Sequence, residues 1–153
     1  FLLPEDLDGK FTGVSRFWGI DANALKAELD VSYRYGTKLE ASAKVGYHRW
    51  KTADGGEAIS YNRPQWEGGA NIRYMPVRPF VLEAGYEFAA GREYSNLGKL
   101  SDIHLVHLKA SYAFTSWFSL YGLTDNVLNR KYDILYGMPA QGINFMFGVD
   151  LKF

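Results

Sequence analysis

The run Ile143-Asn144-Phe145-Met146-Phe147-Gly148-Val149-Asp150-Leu151-Lys152-Phe153 constrains this chain more than any other stretch of it. Side chains on a strand alternate between two faces, so Ile143, Phe145, Phe147, Val149, Leu151 and Phe153 share one face. Asn144, Met146, Gly148, Asp150 and Lys152 occupy the other. In a soluble sheet the greasy face would turn toward a core. If every strand repeats the pattern, no core is left to cover, and the medium facing the greasy side is a bilayer.

The alternation does recur. Leu25, Ala27, Leu29, Val31 and Tyr33 alternate with Lys26, Glu28, Asp30, Ser32 and Arg34. Leu39 through Tyr47 opposes Glu40 through His48, and Trp66, Gly68, Ala70, Ile72 and Tyr74 oppose Glu67, Gly69, Asn71 and Arg73. Strands of the same kind are expected over Phe80–Ala89, Leu105–Phe114 and Trp117–Val127. Pro76-Val77-Arg78-Pro79 is expected to form a turn, because proline has no N–H to give a sheet ladder. An eighth strand over residues 10 to 20 is expected, with its face undefined by the pattern.

Loop lengths supply the topology. Turns at 36–38, 76–79 and 115–116 are short, whereas connections at 51–64, 92–101 and 129–141 are long. Strict alternation of short and long ends is expected of up-and-down antiparallel pairing with no crossover helix, as in transmembrane barrels with tight periplasmic turns. Tyr33, Tyr74, Phe80, Tyr112, Phe114, Phe118 and Phe153 fall at the short-turn level; Tyr47, Trp66, Tyr86 and Phe88 fall at the other. Two aromatic belts suit the two interfaces of a membrane, where amphipathic rings are favoured. A soluble β-sandwich would also alternate, but it has no need of such belts. The carboxyl end is then expected on the periplasmic side.

Composition excludes other classes. Lys plus Arg and Asp plus Glu both number 17, so there is no electrostatic footprint for nucleic acid. No apolar stretch approaches the roughly 18–20 residues of a spanning helix. Aromatic content is 16%, with 16 glycines; cysteine is absent, which excludes disulfides and thiolate metal sites. Phe1 follows neither an initiator Met nor a signal peptide, so a processed or truncated product is expected, forming one unit over residues 1–153.

Candidate chemistry is sparse. His104 and His107 are three apart and face opposite sides of a strand, so they share no metal; His48 is expected at the lumen or rim near Trp50. Asp102, His104 and Ser95 lie near one loop but form no evident catalytic set, and a hydrolase is the weakest reading. Asp54-Gly55-Gly56 reads as a turn, and Asp125 and Asn126 as groups that satisfy backbone where a strand meets its loop. No metal, no cofactor and no catalytic residue is expected.

Ser111-Tyr112-Ala113-Phe114, Phe118-Ser119-Leu120-Tyr121-Gly122 and Thr124-Asp125-Asn126-Val127-Leu128-Asn129-Arg130-Lys131-Tyr132 together resemble the closing strands of TonB-dependent outer-membrane receptors. The loop Gly137-Met138-Pro139-Ala140-Gln141-Gly142 and a last strand ending in Phe follow in the order that family shows; Val127-Leu128 keeps only part of its usual Leu-Phe pair. The likeness is specific over 105–153 and mainly rhythmic over 13–104. It implies that the chain is the C-terminal part of a barrel of about 22 strands whose lumen is filled by a plug that this sequence lacks. It also implies energised uptake of a large or scarce nutrient, such as an iron chelate, corrinoid or glycan. The implied partners are outer-membrane lipid, the rest of the barrel and plug, a periplasmic TonB-type coupling protein and the barrel-assembly machinery. Phe145, Phe147, Val149, Leu151 and Phe153 would be the assembly signal. Residues expected at the extracellular mouth, and so against substrate, are Trp50, Tyr61, Arg92, Tyr94, Tyr136 and Met138, aromatic and cationic groups that give contact area and anion recognition. A complete eight-stranded barrel with a structural, adhesive or surface-binding role remains open, because both readings need polar residues at the same alternate positions. In that case residues 143–153 would pair with residues 10–20.

Overall fold

The computed structural model describes residues 2–4, 17–19, 22–52, 63–93 and 98–152, and every regular element among them is a strand. In chain order these are β1 (Leu2–Pro4), β2 (Phe17–Gly19), β3 (Ala22–Tyr35), β4 (Leu39–Thr52), β5 (Trp66–Val77), β6 (Phe80–Ala90), β7 (Ile103–Ala113), β8 (Phe118–Asp125), β9 (Asp133–Leu135), β10 (Met138–Pro139) and β11 (Asn144–Leu151). β3 to β8 and β11 form one seven-stranded sheet in the order β11-β8-β7-β6-β5-β4-β3. All its pairings are antiparallel, and each strand lies beside the one that precedes it in the sheet's path. The up-and-down topology is the expected one.

Register carries the alternation from strand to strand. Leu29 faces Val45, Val45 faces Gly68, and Gly68 faces Phe88, so one apolar row crosses four strands. Cross-strand neighbours on one face are the unit of sheet stability, and a slip of one residue would turn every apolar side chain inward. Glycine lets bulky rings lie flat. A Cβ at Gly122 would meet the Phe147 ring at 3.1 Å, and one at Gly148 would collide with the ring of Tyr121.

Among the described residues nothing packs over either face. Leu100, 7% exposed, is the one buried apolar side chain among the described residues, while Leu29 and Phe145 are 61% exposed and Phe147 is 81% exposed. Burying one such side chain contributes about 1.5–3 kcal/mol, and in water this single layer would forfeit that contribution along its whole length. Lipid restores it. The aromatic belts lie where the pattern put them. Tyr112 stacks edge-on against Phe114 at 4.7 Å, and Phe114 lies 5.4 Å from Phe118, near the short turns. Tyr47 and Trp66, 4.7 Å apart, and Tyr86 and Phe88, 6.2 Å apart, mark the loop end.

Three expectations change. Pro76 lies inside β5 rather than in the turn, because the register shifts between Tyr74 and Val77 and no ladder N–H is needed there. The turn is left with Arg78 and Pro79, and Val77 already faces Phe80. Second, Phe17–Gly19, within the segment expected to be an eighth strand of the sheet, pairs instead with Leu2–Pro4. β11 pairs with β8, and among the described residues its other edge has no partner strand, so no ladder joins residues 144–151 to 17–19. Third, the loop after β8 contains the hairpin β9–β10. Phe153 lies outside the described residues; Phe145, Phe147, Val149 and Leu151 all stand on the exposed apolar face.

Arginine in place of Leu29 or Leu108, both on this face, should cost about 2–4 kcal/mol when the protein is refolded into lipid vesicles and titrated with urea. Ser32→Arg, on the opposite face, should cost clearly less. Equal penalties on the two faces would contradict a lipid-facing sheet.

Candidate functional site

The face opposite the apolar side is polar, and its charges are ordered. Register aligns Arg34 with Glu40, Glu40 with Arg73, Arg73 with Glu83, and Glu83 with Lys109. The side chains connect across five strands: Arg34 Nε lies 3.1 Å from Glu40, Arg73 lies 3.8 Å from Glu40 and 3.4 Å from Glu83, and Lys109 Nζ lies 3.2 Å from Glu83. Single exposed ion pairs contribute about 0–1 kcal/mol. Here each inner residue serves two partners, so immobilising it once satisfies two contacts. The row ends where Lys109 reaches the Tyr121 ring, 5.9 Å away. A cavity of about 890 Å³ opens over this row, with Ser32, Asn71 and His107 also on its wall.

Toward the loop end, His48 Nε2 is 3.0 Å from Glu67, and His107 Nδ1 is 3.1 Å from Asp125, with Glu87 3.8 Å from its other nitrogen. His104 points to the lipid side, where its Nδ1 lies 2.8 Å from the Tyr86 hydroxyl. The two histidines therefore do face opposite ways. Asp102 accepts the Gly91 N–H through Oδ1, and Ser95 lies outside the described residues. No group of three or more metal-ligating side chains gathers among the described residues.

The long-loop end of the sheet is built by two loops that hold each other. Arg92 is 3% exposed. Its guanidinium donates to the carbonyls of Ser101 at 3.3 Å, Asp133 at 2.8 Å and Ile134 at 2.9 Å, tying the loop after β6 to the hairpin β9–β10. Burial pushes its pKa down from the ordinary arginine value, while Tyr132, Asp133 and Asp102 oppose that shift. Arg92 was expected to meet substrate; the structure has it meeting backbone carbonyls. Asn126, 4% exposed, does what the sequence suggested: its Nδ2 donates to Arg130 O at 2.9 Å and Gln141 O at 3.3 Å, and its Oδ1 accepts the Arg130 N–H at 2.9 Å. Its φ of +50° lies in the left-handed region that Asn tolerates better than most residues. Asn129, at φ +48°, accepts the Ile143 N–H at 3.2 Å and so delivers the chain into β11. Asp125, expected beside Asn126 in that duty, holds His107 instead.

The other expected mouth residues divide. Trp50, at the loop end of β4 on the polar face, is half-buried with the Arg63 guanidinium 4.9 Å above its ring. Tyr136 and Met138 stand at the tip of the β9–β10 hairpin, 54% and 56% exposed. Tyr61 and Tyr94 lie outside the described residues. The buried Arg92 links this group, since the strand it anchors leads directly to Tyr136. Its spacing in sequence carried no sign of that link, because its partners are carbonyls about forty residues away.

Comparison with known proteins agrees with this geometry. No family model and no curated protein matches the sequence. Among solved structures, the chain superposes on the FpvAI–pyocin S2 complex with a TM-score of 0.75 at 18% identity, over 95% of this chain and 21% of the other. It superposes on the ferripyoverdine receptor of the Pseudomonas aeruginosa outer membrane, bound to ferripyoverdine, with 0.73 at 18% identity, over 95% and 22%. For the copper transporter OprC the TM-score is 0.75 at 18% identity, over 100% and 27%. The fold is thus that of a stretch of barrel wall in TonB-dependent receptors, as the sequence resemblance implied. The chain spans roughly a fifth to a quarter of each of those proteins.

Asn126→Ala removes three hydrogen bonds at a buried site and should destabilise the protein in lipid by about 2–4 kcal/mol, at roughly 1 kcal/mol per bond plus the cost of stranded carbonyls. Asn126→Asp keeps the acceptor but sets a buried carboxylate oxygen against the carbonyls of Arg130 and Gln141, so it should cost at least as much. Amide exchange over residues 126–143 should accelerate in both variants.

Proposed function

We propose that this chain is the C-terminal barrel portion of a TonB-dependent outer-membrane receptor that takes up a large or scarce nutrient, such as an iron chelate, corrinoid or glycan. The observation that carries the reading is the single-layer sheet with one lipid-suited face, one charged opposite face and a β11 edge that has no partner strand among the described residues. A strand edge in a bilayer costs several kcal/mol per unsatisfied backbone group, so β11 calls for a further strand. That strand would belong to the rest of the barrel. The similar solved structures, a ferripyoverdine receptor and a copper transporter, support the class without fixing the cargo.

In this reading residues 1–153 are one wall segment, and catalysis plays no part. Trp50, Tyr61, Tyr94, Tyr136 and Met138 meet cargo at the extracellular mouth, and Arg92 positions the loops that carry two of them. The apolar alternation from Phe145 to Phe153 addresses the barrel-assembly machinery. The lumen row from Arg34 to Lys109 faces a polar plug, and a periplasmic TonB-type protein transmits energy through that plug. The short turns, and the carboxyl end, lie on the periplasmic side.

Uptake of labelled ferric siderophores and cobalamin by cells carrying the full-length protein should require the energy-coupling protein and should vanish in cells that lack it. Tyr136→Ala or Trp50→Ala should weaken cargo binding without lowering the amount of protein in the outer membrane. Coupling-independent uptake, or an unchanged affinity in both variants across all cargoes taken up, would refute the assignment.

A further inference from the structure

Arg92 and Asn126 serve one cavity. It measures about 440 Å³ and lies at the base of the β9–β10 hairpin. The segment 129–133 forms one wall, the segment 139–142 a second, and Ser101 the third. Arg92 holds the carbonyls of Ser101 and Asp133, and so fixes the first wall against the third. Asn126 holds the backbone of Arg130 and Gln141, and so fixes the first wall against the second. The Ala140 N–H donates to Tyr132 O at 2.8 Å and closes the base of the hairpin. Gly142 sits so close to Asn129 that a Cβ there would meet its Oδ1 at 2.7 Å. Walls clamped in this way are set before a ligand arrives, which lowers the ordering cost of binding.

Among the described residues the lining is polar and its charges cancel. Lys131 is its one cation and Asp133 its one carboxylate. Ser101, Asn129 and Tyr132 add hydroxyl and amide groups, which between them both donate and accept. An anionic ligand would call for cations in excess. A metal ion would call for several ligating side chains together, and no such group gathers among the described residues. An uncharged ligand rich in hydroxyls meets both needs of this wall, since each hydroxyl donates and accepts. The volume lies within the roughly 300–1,000 Å³ of small-molecule sites. Tyr132 also lines the adjoining cavity of about 640 Å³ over the polar face of the sheet, together with Glu87 and Leu105. A ligand in the outer cavity therefore stands between the long loops and that polar face.

We infer that this cavity binds a saccharide unit, with the Tyr132 ring packed on the C–H face of the sugar and Asn129, Lys131 and Asp133 bonding its hydroxyls. The inference rests on the receptor reading, because it narrows that reading's cargo to one that carries a sugar. Binding is measured without energy coupling, so loss of this site would leave the uptake reading standing. Uptake that ignores the coupling protein would sink that reading and leave sugar binding unchanged.

The test is saturation-transfer NMR on the full-length protein in phosphatidylcholine nanodiscs, with maltose, cellobiose and N-acetylglucosamine as probes. Citrate and agmatine serve as an anionic and a cationic control. The wild type should transfer saturation to at least one of the sugars and to neither control. Lys131→Ala and Asp133→Ala should each weaken sugar binding about fivefold, the worth of one hydrogen bond. Tyr132→Leu should weaken it more than Tyr132→Phe, which keeps the ring. Arg78→Gln, at a short turn, should leave it intact. Heat-modified gel mobility checks that each variant is folded. Transfer to none of the three sugars, stronger transfer to citrate or agmatine, or unchanged sugar affinity in folded Lys131, Tyr132→Leu and Asp133 variants would each overturn the site.

Discussion

Backbone hydrogen bonding between neighbouring strands is the constraint on which everything else here depends. A one-layer sheet has no hydrophobic core to hold it, and Leu100 is the one apolar side chain that becomes buried among the described residues. What keeps the strands together is the ladder itself, unbroken from β3 to β8 and on to β11. In hydrocarbon an unmade N–H···O=C bond has no water to fall back on, so the ladder is far harder to open there than in solution. Side chains decide which face meets lipid; the backbone decides that a sheet exists at all.

That division of labour explains which features were legible in sequence. The strands β3 to β8 and β11 follow from period-two alternation, because every second residue must suit one of two very different media. Pro76 was misplaced because the rule that excludes proline from ladders is local, whereas the register shift that accommodates it depends on Val77 meeting Phe80 across the strand pair. Phe17–Gly19 looked extended and is, yet its partner is Leu2–Pro4, a pairing that alternation does not encode. At the mouth, Asn126 was readable because its partners lie close by in sequence or at the next strand's start. Arg92 was not: its partners are carbonyls, and every residue has one.

Rigidity is unevenly spread as a result. Among the described residues, the three side chains that are nearly sealed from solvent, those of Arg92, Asn126 and Leu100, all lie where the two long connections meet. Leu100 N–H bonds back to Arg92 O at 2.9 Å, and Glu93 bridges to Lys99, so the arginine's own loop closes around it. The exposed tip carrying Tyr136 and Met138, with Gly137 at φ +74°, projects from this small packed hub. A loop of this build keeps its base fixed and leaves only its tip to adapt, a division that limits the entropy lost by any loop that binds with its tip.

The alternating charges from Arg34 to Lys109 have one more consequence. Hydrophobic alternation detects a strand that slips by one residue but is blind to a slip of two, which returns every side chain to its proper medium. The charge row is not blind to it. Moving β4 by two residues against β3 would set Arg34 opposite Lys38 or Ser42 instead of Glu40, and the same slip between β5 and β6 would part Arg73 from Glu83. Greasy and polar faces thus proofread odd errors of alignment and the ionic row proofreads even ones, so a barrel wall assembled strand by strand carries its own parity check.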